Sequence, residues 1–351
     1  MSGQPMSDAR VLRVLVVDDS AYVRKVVSQL LSKSPFLEVV GTARDGQEAL
    51  ERVVELEPDV VTCDLIMPNL DGVGFVREQM ARRPLPIVIV SVASEAGELV
   101  LSALDAGAVD VVQKPTALAS ERLLAIGEDL IEKVKAAAGA RVRRPTTTEP
   151  ARPPLRAGTS KGAFDIVVLG ISTGGPQALR LLIPSLPAEL ALPLAVVLHM
   201  PVGYTELYAR KLDEISSVRV VEAAEGLEVR GGTVLIAPAG RHLSFRRNAD
   251  GIVMTHLDVR PLDTAHRPSV DVLFHSAADV YAERVLGVVM TGMGSDGREG
   301  AAWIKAKGGR ILTEAEDTCV VYGMPRSIVE AGLSDRSVKL EGMADAILEY
   351  V

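Results

Sequence analysis

Three residues in the C-terminal half of this sequence follow apolar runs. FDIVVLG leads into Ser172, PLAVVLH ends on His199, and RVLGVVM runs into the turn that carries Asp296. A serine hydroxyl attacks a carbonyl only when a base takes its proton, and an imidazole oriented by a carboxylate is such a base. If the three runs are strands of one parallel sheet, their carboxyl ends share a rim. Ser172, His199 and Asp296 then become candidate nucleophile, general base and orienting acid. Gly170-Ile171-Ser172-Thr173-Gly174 fits the Gly-x-Ser-x-Gly elbow between strand and helix, and Pro176 suits a first helical position. Alone, that pattern is weak. A glycine-rich phosphate loop competes with it, but the dinucleotide fingerprint needs a glycine where Ser172 stands and an acid ending the next strand, where His199 stands. Around Asp296, TGMGSDG supplies glycines that let amides near Met293 approach an oxyanion. The same aspartate also suits a helix cap, and His199 taken singly suits a loop. His256 and His275 read as half-buried structural residues; His242 and His266 fall near turns, and His266 remains a candidate to line the site. The order Ser, His, Asp differs from the Ser, Asp/Glu, His order of α/β-hydrolases, so a different scaffold is expected.

The N-terminal half carries a second constellation. Asp18 and Asp19 end a first apolar run, Asp64 a third, Ser91 a fourth and Lys114 a fifth. Three carboxylates on one rim repel each other unless a cation sits among them, and an all-oxygen ligand set suits Mg²⁺. With the charge neutralised, Asp64 is best placed to act as nucleophile toward a phosphoryl group, while Lys114 and the hydroxyl of Ser91 hold its oxygens. As caps and turn residues, these acids would explain Asp71-Gly72 but not the convergence of Asp18, Asp19, Asp64 and Lys114.

These residues need rigid elements to position them. Before residue 136, VLRVLVV, LEVVGTA, PDVVTCD, LPIVIVS and AVDVVQK alternate with helical patterns, the first having Val23, Val26, Val27, Leu30 and Leu31 on one face. Five β/α units predict a doubly wound parallel sheet. From residue 164 onward the β/α alternation resumes, and GTVLIAPAG, RHLSFRR and GIVMTHLD, around Asp250-Gly251, predict an antiparallel excursion in a mainly parallel α/β domain. Between them, residues 136–163 hold four prolines, six basic residues and one acidic residue with almost no apolar periodicity, which predicts an extended linker. The expected division is therefore 11–135, linker 136–163, and 164–351. A length of 351 residues fits two domains, and 48% apolar residues suffice for two cores. The net charge of −8 argues against a nucleic-acid partner. Cys63 and Cys319, far apart and without metal-ligand spacing, predict reduced thiols and neither disulfide nor zinc. No apolar stretch is long enough to span a membrane and the N-terminus has no apolar leader region, so a cytoplasmic, soluble protein without membrane insertion is expected.

VVDDS, DLIMPNLDG, the serine of LPIVIVS and Lys114-Pro115 together resemble the signature of response-regulator receiver domains over about residues 11 to 135. The resemblance implies a flavodoxin-like fold with strand order 2-1-3-4-5, and phosphorylation of Asp64 by a histidine kinase with Mg²⁺ held by Asp18, Asp19 and Asp64. It also implies switch roles for Ser91 and Lys114. Val111 stands where many receivers carry an aromatic, implying a muted rotamer switch. GISTGGP, HMPVGYT, HRPSVDVLF, TGMGSDG and CVVYGMP resemble the catalytic domain of the chemotaxis protein-glutamate methylesterases. That likeness implies a cytoplasmic enzyme, a monomer, needing no cofactor for the esterase step. It would hydrolyse glutamate γ-methyl esters on methyl-accepting chemotaxis receptors, release methanol and also deamidate receptor glutamines. Carried over, Ser172, His199 and Asp296 are the catalytic residues and Thr173 and Met293 line the site; Ile171 replaces an alanine common in the family. A receiver on a flexible tether implies occlusion of the catalytic face until Asp64 is phosphorylated. Two other readings stay open: a receiver-controlled module that only docks on receptors, and a generic serine esterase or amidase.

Overall fold

The computed structural model describes residues 10–91, 97–114, 120–140, 142 and 163–350. Most of the expected linker, and Pro115, lie outside the described residues; the first positions of that expected linker continue a helix. The chain divides into two compact units, with the boundary between Pro145 and Thr146. Among the described residues no helix is long and apolar enough to cross a membrane.

The N-terminal unit alternates strictly: β1 (Leu12–Val17), α1 (Ala21–Leu31), β2 (Leu37–Ala43), α2 (Gly46–Leu56), β3 (Val60–Cys63), α3 (Gly72–Arg82), β4 (Ile87–Ser91), α4 (Gly97–Asp105), β5 (Asp110–Gln113) and α5 (Ser120–Ala138). The strands form a parallel sheet in the order β2-β1-β3-β4-β5, the order the family resemblance implied. β3 and β4 are buried along their whole length, as a sheet covered by helices on both faces requires. Helix starts follow from local chemistry. Ser20, Asp45 and Asp71 each accept a backbone N–H from three residues ahead and so cap α1, α2 and α3. Asp71 is therefore a cap and no part of the acidic cluster.

The C-terminal unit contains β6 (Ile166–Ile171), α6 (Gly175–Leu182), β7 (Leu194–Leu198), α7 (Thr205–Ile215), β8 (Arg219–Glu222), β9 (Thr233–Ile236), β10 (His242–Arg247), β11 (Val253–Asp258), α8 (Val270–Tyr281), β12 (Val285–Val289), α9 (Arg298–Ala306), β13 (Arg310–Glu314), α10 (Met324–Glu330), β14 (Arg336–Val338) and α11 (Met343–Leu348). Seven strands form one sheet in the order β14-β13-β12-β6-β7-β9-β8, every pairing parallel. The antiparallel excursion is the separate pair β10-β11. The GTVLIAPAG run, grouped with that excursion from its alternation, instead supplies β9 and enters the parallel sheet between β7 and β8. Val234, Leu235 and Ile236 are all buried there, as a parallel strand covered on both faces requires.

Strand β6 is the earliest strand in the sheet and sits at its centre, with the chain winding away in both directions. The carboxyl end of β6 is thus the topological switch point, where doubly wound sheets leave a crevice. All six of its residues are buried. At Gly170 a Cβ would stand 2.3 Å from Val270 Cγ1, so only glycine lets the first turn of α8 close against the end of β6. That contact sets where the N-terminus of α8 points.

Candidate active site and acidic cluster

Register brings the C-terminal candidates to neighbouring strand ends. Ile171 pairs with Leu198, and His199 N–H donates to Ile171 O at 3.1 Å, so Ser172 and His199 emerge side by side from β6 and β7. On the other flank Ser172 N–H donates to Thr291 O at 3.0 Å, tying the elbow to the turn after β12. At Gly292 a Cβ would lie 2.7 Å from Ser172 Cβ, which shows how closely the turn carrying Met293 passes the serine. Ser172, Thr173 and His199 are all buried, and Met293 is half-buried.

The carboxylate of Asp296 joins His199 to a helix. Its Oδ2 lies 2.9 Å from His199 Nε2 and accepts Val270 N–H at 2.8 Å; its Oδ1 accepts Ser269 Oγ and Asp271 N–H, both at 3.0 Å. Four donors on two oxygens nearly exhaust what a carboxylate accepts. Three of them belong to the N-terminus of α8, where free amides and the helix dipole favour an anion. Burial alone would push the Asp296 carboxyl up, but the hydrogen bond and charge of His199, with the amides of Asp271 and Val270, win and hold it well below the usual carboxylate range. Its negative charge calls for the tautomer of His199 that carries a proton on Nε2. Nδ1 keeps the lone pair, and Nδ1 is buried without a hydrogen-bond partner. The ring therefore runs opposite to the chymotrypsin arrangement, in which Nδ1 meets the acid and Nε2 the serine.

Neighbouring groups that sequence reasoning passed over hold this geometry. Asp271 accepts Gly297 N–H at 3.0 Å and Gly300 N–H at 2.7 Å, so it caps α9 while Asp296, just before α9, caps α8. Burial, then the nearby negative charge of Asp296, raise the Asp271 carboxyl. Glu314, fully buried at the end of β13, accepts Thr291 N–H at 2.9 Å, and Thr291 Oγ1 donates to Thr173 O at 2.9 Å. Burial raises the Glu314 carboxyl despite these donors. The signal for Asp271 lay in SVDVLF, a cap followed by an acidic first turn; nothing in RILTE marks its glutamate as more than a strand end. His266, a candidate to line the site, stacks on His199 with ring centroids 4.1 Å apart and planes 26° apart. His256 instead bonds Glu225 on the surface, and His275 packs on Trp303.

In the N-terminal unit, Asp18, Asp19 and Asp64 bring oxygen ligands within 4.8 Å of one another. Lys114 Nζ bridges two of them, 2.9 Å from Asp18 Oδ2 and 2.8 Å from Asp64 Oδ2. Burial raises the Asp18 carboxyl although Lys114 opposes it. For Lys114, burial works toward a lower value, but the hydrogen bonds it donates to both carboxylates, with their charges, outweigh it and raise the ammonium. Ser91 is buried at the end of β4, and its carbonyl accepts Lys114 N–H at 2.8 Å, so both sit on the same rim. Val111 is buried within β5.

Removing the Asp296 carboxylate should destabilise the C-terminal unit. Asp296→Ala is expected to cost about 1–2 kcal/mol at neutral pH, the scale of a lost helix cap. Because the folded carboxyl titrates below its unfolded range near about pH 4, this stabilisation is present above that range and fades as pH falls toward the folded value. Urea titrations of wild type and variant should therefore converge in acid; an equal midpoint at pH 7, or a gap that widens on acidification, contradicts the assignment.

Comparison with known proteins gives the family of both units. Residues 167–347 match the CheB methylesterase family and residues 14–126 the response regulator receiver domain. The protein-glutamate methylesterase/protein-glutamine glutaminase 5 of Myxococcus xanthus is 51% identical over 342 residues, covering 97% of this chain and 98% of that protein. The corresponding protein of Symbiobacterium thermophilum is 46% identical over 363 residues, covering 99% of each. Among solved structures, the Thermotoga maritima CheB methylesterase catalytic domain covers 54% of this chain and 99% of its own, at 40% identity and a TM-score of 0.52. With both family models matched and relatives this similar over nearly the full length, the chain belongs to the CheB-type protein-glutamate methylesterase/protein-glutamine glutaminase family and carries a response-regulator receiver domain at its N-terminal end.

Proposed function

We propose that this methylesterase is a serine hydrolase in which Ser172 is the nucleophile, His199 the general base through Nδ1, and Asp296 the acid that orients the ring. The observation that carries the reading is the Asp296 to His199 Nε2 contact at 2.9 Å, together with a buried Nδ1 left without a hydrogen-bond partner and the emergence of Ser172 and His199 from neighbouring strand ends. Ser172 Oγ attacks the γ-ester carbonyl of a receptor glutamate while its proton passes to Nδ1. Asp296 stabilises the imidazolium, and amides of the turn around Met293 face the developing oxyanion, with Thr173 completing the lining. Breakdown of the tetrahedral intermediate returns the proton to departing methanol and leaves an acyl-serine. Water then adds to the acyl carbonyl as Nδ1 takes one of its protons, and expulsion of Ser172 Oγ, reprotonated from the imidazolium, releases the glutamate. A receptor glutamine follows the same course with ammonia as leaving group. Both are small, so a site at the open rim of the sheet suffices for a side chain presented on a methyl-accepting chemotaxis receptor. We read the protein as a cytoplasmic monomer that reaches these receptors without entering the membrane.

Control belongs to the receiver. Asp64 takes a phosphoryl group from a histidine kinase, and Lys114 and Ser91 hold its oxygens. Asp18, Asp19 and Asp64 offer the all-oxygen set that Mg²⁺ prefers, and the bound ion supplies charge neutralisation at the transferring group. Phosphorylation shifts the receiver's conformational balance and raises the esterase rate.

Two measurements test this reading. Methanol release from methylated receptor should fall by roughly three orders of magnitude or more in Ser172→Ala, the scale of a lost nucleophile; near-normal turnover would reject the serine mechanism, and equal activity on free small esters would point to a generic esterase. A small-molecule phosphodonor with Mg²⁺ should accelerate wild-type methanol release and have no effect on Asp64→Ala, and a chelator should abolish the response. Acceleration that survives in the variant would remove Asp64 from the control.

A further inference from the structure

A single hydrogen bond to Asp296 fixes one atom of the His199 ring and does not by itself set the plane of the ring. General base action needs the plane fixed too, because Nδ1 must point at the serine. The face of the ring is covered by His266, with centroids 4.1 Å apart and an interplanar angle of 26°.

The segment that brings His266 there is fastened on both sides. Buried His242 accepts Ser269 N–H on Nδ1 at 3.1 Å, which leaves its Nε2–H to donate to Pro261 O at 3.1 Å. Gly240 N–H donates to Arg267 O at 2.9 Å, next to His266 itself. The same stretch continues into Ser269, Val270 and Asp271, whose three donors hold the Asp296 carboxylate. Residues 266–271 thus grip the His199–Asp296 pair twice, the imidazole by its face and the carboxylate by its oxygens.

We propose that His266 is a positioning residue of the esterase reaction, its flat ring holding the His199 imidazole in the plane that aims Nδ1 at Ser172. This rests on the reading of His199 as the general base. Stacked rings of this kind prefer a defined mutual plane, which an aliphatic side chain of similar bulk does not impose. His266 acts on the orientation of His199 rather than on bound substrate, so its loss should appear in kcat and not in KM.

The experiment measures steady-state methanol release from methylated receptor by wild type, His266→Ala, His266→Leu, His266→Phe and, as control, His199→Ala. His266→Ala and His266→Leu are expected to lose about five- to tenfold in kcat with KM held within about twofold, and His266→Phe to recover to within about twofold of wild type. Wild-type kcat in the leucine variant overturns the proposal, as does a phenylalanine variant no better than leucine, and both keep enough bulk to remain informative if the alanine variant unfolds. The control separates the two claims. If His199→Ala retains activity, the reading of the base fails; if it is inactive while every His266 variant is normal, only the stacking role fails.

Discussion

The C-terminal unit depends on one buried carboxylate that answers two demands at once. Asp296 is the anion that the amino end of α8 requires, and it is the acceptor that fixes the tautomer of His199. The imidazole first, and the helix amides with it, outweigh the burial that would raise this carboxyl; without the imidazole it would be a helix cap and nothing more. Because Gly170 lets Val270 close on the end of β6, the central strand sets both the serine and the helix start that holds the acid. The geometry of the site is in this sense a property of the sheet's centre and not of its loops.

The two helices that follow are locked by exchange. Asp271 in α8 accepts the amides that begin α9, and Asp296 before α9 accepts those that begin α8. Two carboxylates in one buried neighbourhood push their affinities for protons apart. Asp296 stays ionised because it has the imidazole, and Asp271 is raised by burial first and then by the charge of Asp296. The receiver unit solves the same problem differently. There Lys114 spans Asp18 and Asp64, a positive group placed where three acids converge, and the all-oxygen surroundings leave room for a divalent ion to share the work.

Much of this was legible before any coordinates. Parallel sheets expose the ends of their strands, so an apolar run ending in Ser172, His199, Asp64 or Lys114 announces where each residue lies, and five β/α repeats announce the first sheet. What was not legible depends on contacts between elements distant in sequence. Beside its reading as the acid that orients His199, Asp296 suited a helix cap, and it does cap a helix, α8, which begins some 25 residues earlier in the chain; only the packing of α8 against α9 decides which helix it serves. Glu314 reads as the end of a strand because burial beneath Thr291 leaves no trace in local pattern. β9 was drawn toward the hairpin by its alternation, and its true neighbours β7 and β8 are a matter of pairing that periodicity does not encode. His266, uncommitted in sequence, acquires its place through the tethers of His242 and Gly240 on either side of it.

The reversed imidazole is the point on which the chemical account turns, and nitrogen chemical shifts of the His199 ring report it directly. In ¹⁵N NMR the neutral form of the ring should carry its proton on Nε2 and a lone pair on Nδ1, and Asp296→Asn should disturb that preference. A ring protonated on Nδ1, with Nε2 bare against an ionised Asp296, would contradict it.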